Sequence, residues 1–251
     1  MTPILGIGIA VLGATIASFI GVVTERIHTG ASWVNDRSRC DSCATVLTAR
    51  DLVPVLSWLI HFGKCRSCGS RIPARHAVVE GLAALVFFSA FAFFGLTPAL
   101  ALFVVAVSIL LFIVLYDIRH TIVPMKPVAA FVVIALVFRA VVAPMAPALG
   151  LALIVAGVAG SVFLLFHVLS RGRAMGLGDT PVVLGLSLLV GPSTVMPGVL
   201  FSFWIGALYG VVVLASTPRG HRMGIEVPFV PFLALGFLLA YFTGWNPLPL
   251  F

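Results

Sequence analysis

The chain has 251 residues, of which 61% are hydrophobic and 9% charged, and its formal net charge is +7. Soluble globular domains carry about 25% charged residues, so this composition excludes one and describes a polytopic membrane protein. The positive excess suits contact with the anionic headgroups of a lipid bilayer. It does not suit nucleic acid, which needs a basic face on a folded soluble module.

A span of about 30 Å of hydrocarbon takes about 20 apolar residues. Apolar runs fall near 3–24, 77–95, 98–116, 127–143, 148–169, 181–192, 194–216 and 228–244. The expected fold class is all-α, with about eight transmembrane helices and a small cytoplasmic zinc-ribbon-like loop. The sixth run is short, and a half-span or re-entrant segment fits it as well as a crossing. No basic residue precedes the first run, and its first charges, Glu25 and Arg26, come after it. It therefore reads as a retained span rather than a cleaved signal peptide. The expected organisation is a first span over 1–24, a four-cysteine loop over 25–76 and a membrane-embedded core over 77–251.

The loop carries two knuckles, Cys40-Asp-Ser-Cys43 and Cys65-Arg-Ser-Cys68, separated by 21 residues. That is one more than the usual spacing of about 15 to 20 in a four-thiolate zinc site. Each knuckle aims two thiolates at one ion, and four complete the tetrahedron that structural zinc prefers. The competing readings are two disulfides, which a reducing cytoplasm disfavours, or four unrelated thiols. A closed shell of four sulfurs leaves no place for water, so zinc here would be architectural. It would supply folding energy that a loop poor in apolar side chains lacks. His28, His61 and His76 are read as ordinary surface or interface histidines.

Basic residues stay on the cytoplasmic side of short connections. Eight of the fifteen lie in 25–75, and Arg119, Lys126, Arg171, Arg173, Arg219 and Arg222 lie in alternate later connections. This places both termini outside and the cysteine loop inside. The fifteenth, Arg139, falls near the outer end of the fourth span, where its side chain is expected to snorkel to the interface.

Asp117 closes the third span and Asp179 opens the sixth, with two crossings between them, so both reach the cytoplasmic surface. An ionisable group at a membrane span is costly and marks function by default. Two facing carboxyls share one proton and together activate a water for attack on a peptide carbonyl. The bland alternative is two separate interfacial carboxylates solvated by headgroup water. Gly176 and Gly178 in Gly-Leu-Gly-Asp179 remove side chains ahead of the carboxyl, which lets an extended substrate backbone approach. Pro181 suits the first turn of a helix with Thr180 as its cap. Asp179 then precedes a positive helix end while Asp117 sits at a negative one, favouring Asp179 as the ionised partner and Asp117 as the proton holder.

These residues resemble the type IV prepilin leader peptidases, bacterial membrane aspartic proteases of the GxGD class. The likeness runs through Ala17-Ser-Phe-Ile-Gly-Val-Val, the two knuckles around Leu56-Ser-Trp-Leu and Gly63-Lys-Cys-Arg, and Arg75-His-Ala-Val-Val-Glu80. It continues through Asp117 with Ile122-Val-Pro124, Gly176-Leu-Gly-Asp179, and Val227-Pro-Phe-Val-Pro-Phe-Leu-Ala-Leu-Gly236. The resemblance implies cleavage of the short basic leader from type IV prepilin or pseudopilin precursors at the cytoplasmic face of the bacterial inner membrane. It implies Asp117 and Asp179 as the catalytic carboxyls. Because members with the four-cysteine loop also N-methylate the new terminus, it implies S-adenosylmethionine as methyl donor. Gly21, Met125 and Pro181 depart from the family's asparagine, aspartate and lysine. A basic leader and a basic enzyme face repel, so Glu80 and Glu226 are candidate substrate-binding acids. Three other readings remain: a presenilin-like or signal-peptide-peptidase-like protease, for which Tyr116-Asp117 and the same GxGD speak, a proton-coupled transporter, and an inactive partner in a pilus or secretion assembly.

Overall fold

The computed structural model describes residues 2–27, 32, 36–173, 175–216 and 227–246. Among them the secondary structure is helical, without a strand, and the helices divide into two compact units, Met1–Leu96 and Thr97–Phe251.

The first unit holds α1 (Thr2–Arg26), α2 (Leu56–Ile60) and α3 (Ala74–Phe94). Helices α1 and α3 pack along each other, so α3 groups with the first span and the loop. Small residues allow the approach: a Cβ on Gly13 would lie 2.6 Å from the ring of Phe87 and 2.8 Å from the carbonyl of Ala83. Without a hydrophobic drive between helices in lipid, such close backbone packing is what holds spans together.

The second unit holds α4 (Pro98–His120), α5 (Met125–Val142), α6 (Ala146–Ser170), α7 (Asp179–Val190), α8 (Pro192–Ser216) and α9 (Val230–Thr243). Its centre is α7, whose Val182, Val183, Leu186, Leu188 and Leu189 are all buried. Helices α5, α6, α8 and α9 surround it. On the α5 side, a Cβ on Gly185 would meet the Phe131 ring at 2.6 Å, so glycine is what lets α5 and α7 lie in contact.

Among the described residues six helices are long and apolar enough to cross a membrane: Pro3–Arg26, Ala74–Phe94, Pro98–His120, Met125–Val142, Ala146–Ser170 and Pro192–Ser216. The other two apolar helices, α7 and α9, have 12 and 14 residues. At about 1.5 Å per residue α7 reaches about 18 Å, well short of the hydrocarbon thickness. The short sixth run is thus a short helix as well.

Arg139 differs from expectation. It is buried at 8% exposure, and its Nε and Nη2 donate to the carbonyls of Leu188 and Leu189, each at 2.8 Å. The carbonyls at the end of α7 lie within hydrogen-bond reach, so the guanidinium turns inward to them instead of snorkelling.

Candidate active site and metal centre

Asp117 lies in the last turn of α4 and Asp179 is the first residue of α7. Both are buried, at 4% and 5% exposure. The structure brings them together, with Asp179 inside the electrostatic reach of the Asp117 carboxylate and of His167 on α6. Each has one backbone donor: the Gly176 N–H reaches Asp179 Oδ2 at 3.1 Å, and the Val230 N–H reaches Asp117 Oδ2 at 3.3 Å. Val230 opens α9, so Asp117 faces the positive end of that helix although it ends α4. The helix-end asymmetry expected between the two carboxyls is therefore offset, and neither is marked out as the proton holder on that ground.

The two glycines have different surroundings. A Cβ on Gly178 would overlap Val123, in the connection between α4 and α5, so this glycine seats the GxGD turn against its neighbour. At Gly176 the nearest atom to an added Cβ is Asp179 Oδ2 at 3.5 Å, an ordinary contact. What Gly176 contributes is its N–H. Thr180 is inside α7 with its hydroxyl unpartnered and does not cap it; Gly178 takes the cap position, and the Asp179 carboxylate bonds back to Gly176 instead.

Two contributors were not anticipated. One is the N-terminus of α9, which carries no polar side chain to signal its role. The other is His167, whose Nδ1 lies 2.9 Å from the Met175 carbonyl and so braces the segment leading into Gly176. Its position ten residues before Leu177 has no recognisable motif spacing.

The four cysteines form a second cluster, in the first unit. Their sulfurs all lie within 4.8 Å of one another, with Cys40 and Cys68 3.9 Å apart, and none is in a disulfide. The two knuckles repeat one backbone pattern. Cys40 N–H donates to the Thr45 carbonyl and Ala44 N–H to the Cys40 carbonyl; Cys65 N–H donates to Ser70 and Gly69 N–H to Cys65. Each turn closes an antiparallel bridge, Arg39 with Val46 and Lys64 with Arg71. Each also places a residue with positive φ just after its second cysteine, Ala44 at 55° and Gly69 at 72°.

This donor set fits zinc, since tetrahedral thiolates at about 2.3 Å from the metal stand about 3.8 Å apart. The backbone also prepares thiolates. Cys40 is pulled down to about 6 by the N–H groups of Cys43 and Ser42 and by the Ser70 hydroxyl. Cys68 is lowered by the same hydroxyl. Around Cys65 the N–H groups of Cys68 and Ser67 favour the thiolate, but burial and the neighbouring sulfurs of Cys40 and Cys68 outweigh them and the net shift is upward.

Of the candidate substrate acids, Glu80 already has a partner. Its Oε2 accepts the Val55 N–H at 2.7 Å, holding the start of α2 where Val55 takes a φ of 61°. Glu226 lies outside the described residues, as do His28, Arg219 and Arg222. His61 stands 3.9 Å from Asp51, an ordinary surface pairing.

Comparison with known proteins falls on the same two units. Residues 104–211 match the type IV leader peptidase family, and residues 11–94 match the bacterial peptidase A24 N-terminal domain. A prepilin leader peptidase/N-methyltransferase of Bacillus subtilis (strain 168) is 30% identical over 238 residues, covering 93% of this chain and 92% of that protein. Proteins of the same name from Myxococcus xanthus (strain DK1622) and Dichelobacter nodosus are each 32% identical. They cover 86% and 82% of this chain, and 65% and 71% of their own lengths. No solved structure matches significantly.

Proposed function

The chain belongs to the type IV leader peptidase family, and we propose that it cleaves the leader from type IV pilin-like precursors with Asp117 and Asp179 sharing one water. The observation that carries this reading is the meeting of two buried carboxylates at one end of the second unit, each anchored through Oδ2 by a backbone N–H.

The chemistry follows from one proton shared by two carboxyls. The ionised partner accepts a proton from water as its oxygen attacks the scissile carbonyl carbon. The protonated partner donates to the carbonyl oxygen, giving a neutral tetrahedral diol. Collapse of the diol breaks the C–N bond, the leaving nitrogen takes the proton held by the first carboxyl, and a diol hydroxyl returns a proton to the second. The pair ends with one proton, as it began.

The first unit supports the second half of the relatives' name. We assign it a structural zinc held by Cys40, Cys43, Cys65 and Cys68, and the chain a methyl transfer from S-adenosylmethionine to the newly exposed N-terminus. In this reading the protein is a multi-pass protein of the bacterial inner membrane with both termini outside and the aspartates facing the cytoplasm. A proton-coupled transporter is disfavoured, because a relay would place its carboxyls near the bilayer midplane and these lie at helix ends.

The test is to incubate the purified protein with a pilin-like precursor and S-adenosylmethionine and to determine the mass and N-terminus of the product. Leader loss and one added methyl group are expected. Asp117→Ala and Asp179→Ala should insert normally and cleave nothing; cleavage by either variant at the wild-type rate would remove that carboxyl from the mechanism.

A further inference from the structure

We propose that Arg139 is a positioning residue for Asp179: its guanidinium clamps the far end of α7 and thereby sets the depth of the carboxylate at the near end. This role presupposes the aspartate-pair protease proposed above.

A helix leaves its last carbonyls without partners, and a helix too short to leave the hydrocarbon cannot give them to water. In α7 the deficit is sharpened by sequence. The Leu188 carbonyl would ordinarily be paired by the N–H of residue 192, but that residue is Pro192 and has none. Arg139 Nε supplies this bond and Nη2 pairs the next carbonyl, Leu189, each at 2.8 Å. Both of these contacts are buried. The planar fork reads two successive carbonyls at once, which fixes α7 along its axis as well as beside α5.

A guanidinium buried in an apolar layer needs a counter-field. The negative end of α7 provides one, and the Phe138 ring sits 5.9 Å from the guanidinium carbon. Gly191 completes the seat. Its φ of 89° turns the chain toward α8, and a Cβ there would press on Arg139 Nη2 at 2.8 Å.

Along the parallel α5 and α7, three contacts then hold the helix that carries Asp179: Val123 against Gly178, Phe131 against Gly185, and Arg139 on Leu188 and Leu189. Asp179 is nine residues from Leu188, about 14 Å along the axis, so a slip at the clamp is transmitted through a rigid rod.

The experiment measures cleavage of a pilin-like precursor by full-length wild type, Arg139→Met, Arg139→Lys and Gly191→Ala, each normalised to folded protein. Arg139→Met should lower kcat between about ten- and a hundredfold, the loss expected of a misplacement near 1 Å, while KM changes less than about twofold. Arg139→Lys, which keeps charge but pairs one carbonyl at a time, should recover part of kcat. Gly191→Ala, which disturbs the clamp without removing it, should lower kcat in the same sense with KM again unmoved. Wild-type kcat in folded Arg139→Met overturns the proposal and leaves the protease reading intact. Equal losses in kcat and in folded fraction across all three variants overturn it too, since they would make Arg139 a stability residue alone. A wild type that cleaves nothing while properly folded overturns both.

Discussion

Gly176 and Gly178 stand two residues apart and look interchangeable as letters, yet their surroundings separate them. An alanine at 178 must displace Val123 or the turn that carries Asp179, whereas an alanine at 176 meets only ordinary contact and keeps its N–H. Overpacking of this kind costs about 1 to 3 kcal/mol, and the same displacement moves the Asp179 carboxylate, catalytic in the proposed reading. Gly178→Ala should therefore lose at least about tenfold in leader cleavage per folded molecule, while Gly176→Ala stays within a fewfold of wild type. Comparable losses in both would mean that the glycines serve substrate approach after all. Glu80 poses the same kind of question. Glu80→Gln removes the charge but keeps an oxygen for the Val55 N–H, whereas Glu80→Ala leaves that N–H unpaired, at a cost of about 1 to 3 kcal/mol if it stays dry. If the acid is structural, Glu80→Gln should match wild type in KM and in protease resistance of the loop, and only Glu80→Ala should loosen it. A raised KM in Glu80→Gln would make the carboxylate a substrate contact.

At the scale of elements, the cysteine loop has little to hold it besides its cluster. Helix α2 has five residues and none of them is buried, and the knuckle turns are closed by single bridges. Apparent binding energies of about 10 to 16 kcal/mol for structural zinc exceed anything this loop gains from burial. Stripping the proposed zinc with a chelator should expose residues 36–72 to limited proteolysis and lower methylation of the product. Leader cleavage should continue, because the aspartates belong to the other compact unit. Simultaneous and equal loss of both activities would refute that division. Both features, the knuckles and the eight apolar runs, were legible in the sequence because each is local: spacing declares the first and run length the second. What escaped was tertiary. Nothing near Arg139 announces that its partners are 49 and 50 residues away, nor does Asp117 announce a donor 113 residues later at Val230. Pro181 points to Thr180 as the cap, but the Asp179 carboxylate competes locally by bonding back to Gly176. Where function was legible, it was because two costly carboxyls sat at the ends of apolar runs, which is a statement about energy that needs no contacts.

The whole molecule carries a net charge of +7 and, in the proposed reading, processes a leader that is itself basic. Long-range attraction cannot bring the two together, so recognition has to rest on apolar helix contact within the bilayer and on local acids such as the catalytic pair. Ionic strength tests this directly. Exposed charges are screened over about 8 Å at physiological salt and about 3 Å at 1 M, so an encounter driven by opposite charges would weaken steeply across that range. Here the expected outcome is the reverse: KM for the precursor should stay level or fall slightly as salt rises, since screening relieves like-charge repulsion. The same argument requires the basic connections to share one side of the membrane. Met145 in the α5–α6 connection is 71% exposed, and Arg173 beyond α6 is exposed as well. With cysteine placed at each position and a membrane-impermeant maleimide applied to intact cells, Met145→Cys should be labelled at once. Arg173→Cys should be labelled only after the inner membrane is opened, with labelled peptides identified by mass to separate them from the native thiols. Labelling of Arg173→Cys in intact cells would put the connection that leads into Asp179 on the outer face, where a leader still on the cytoplasmic side could not reach it.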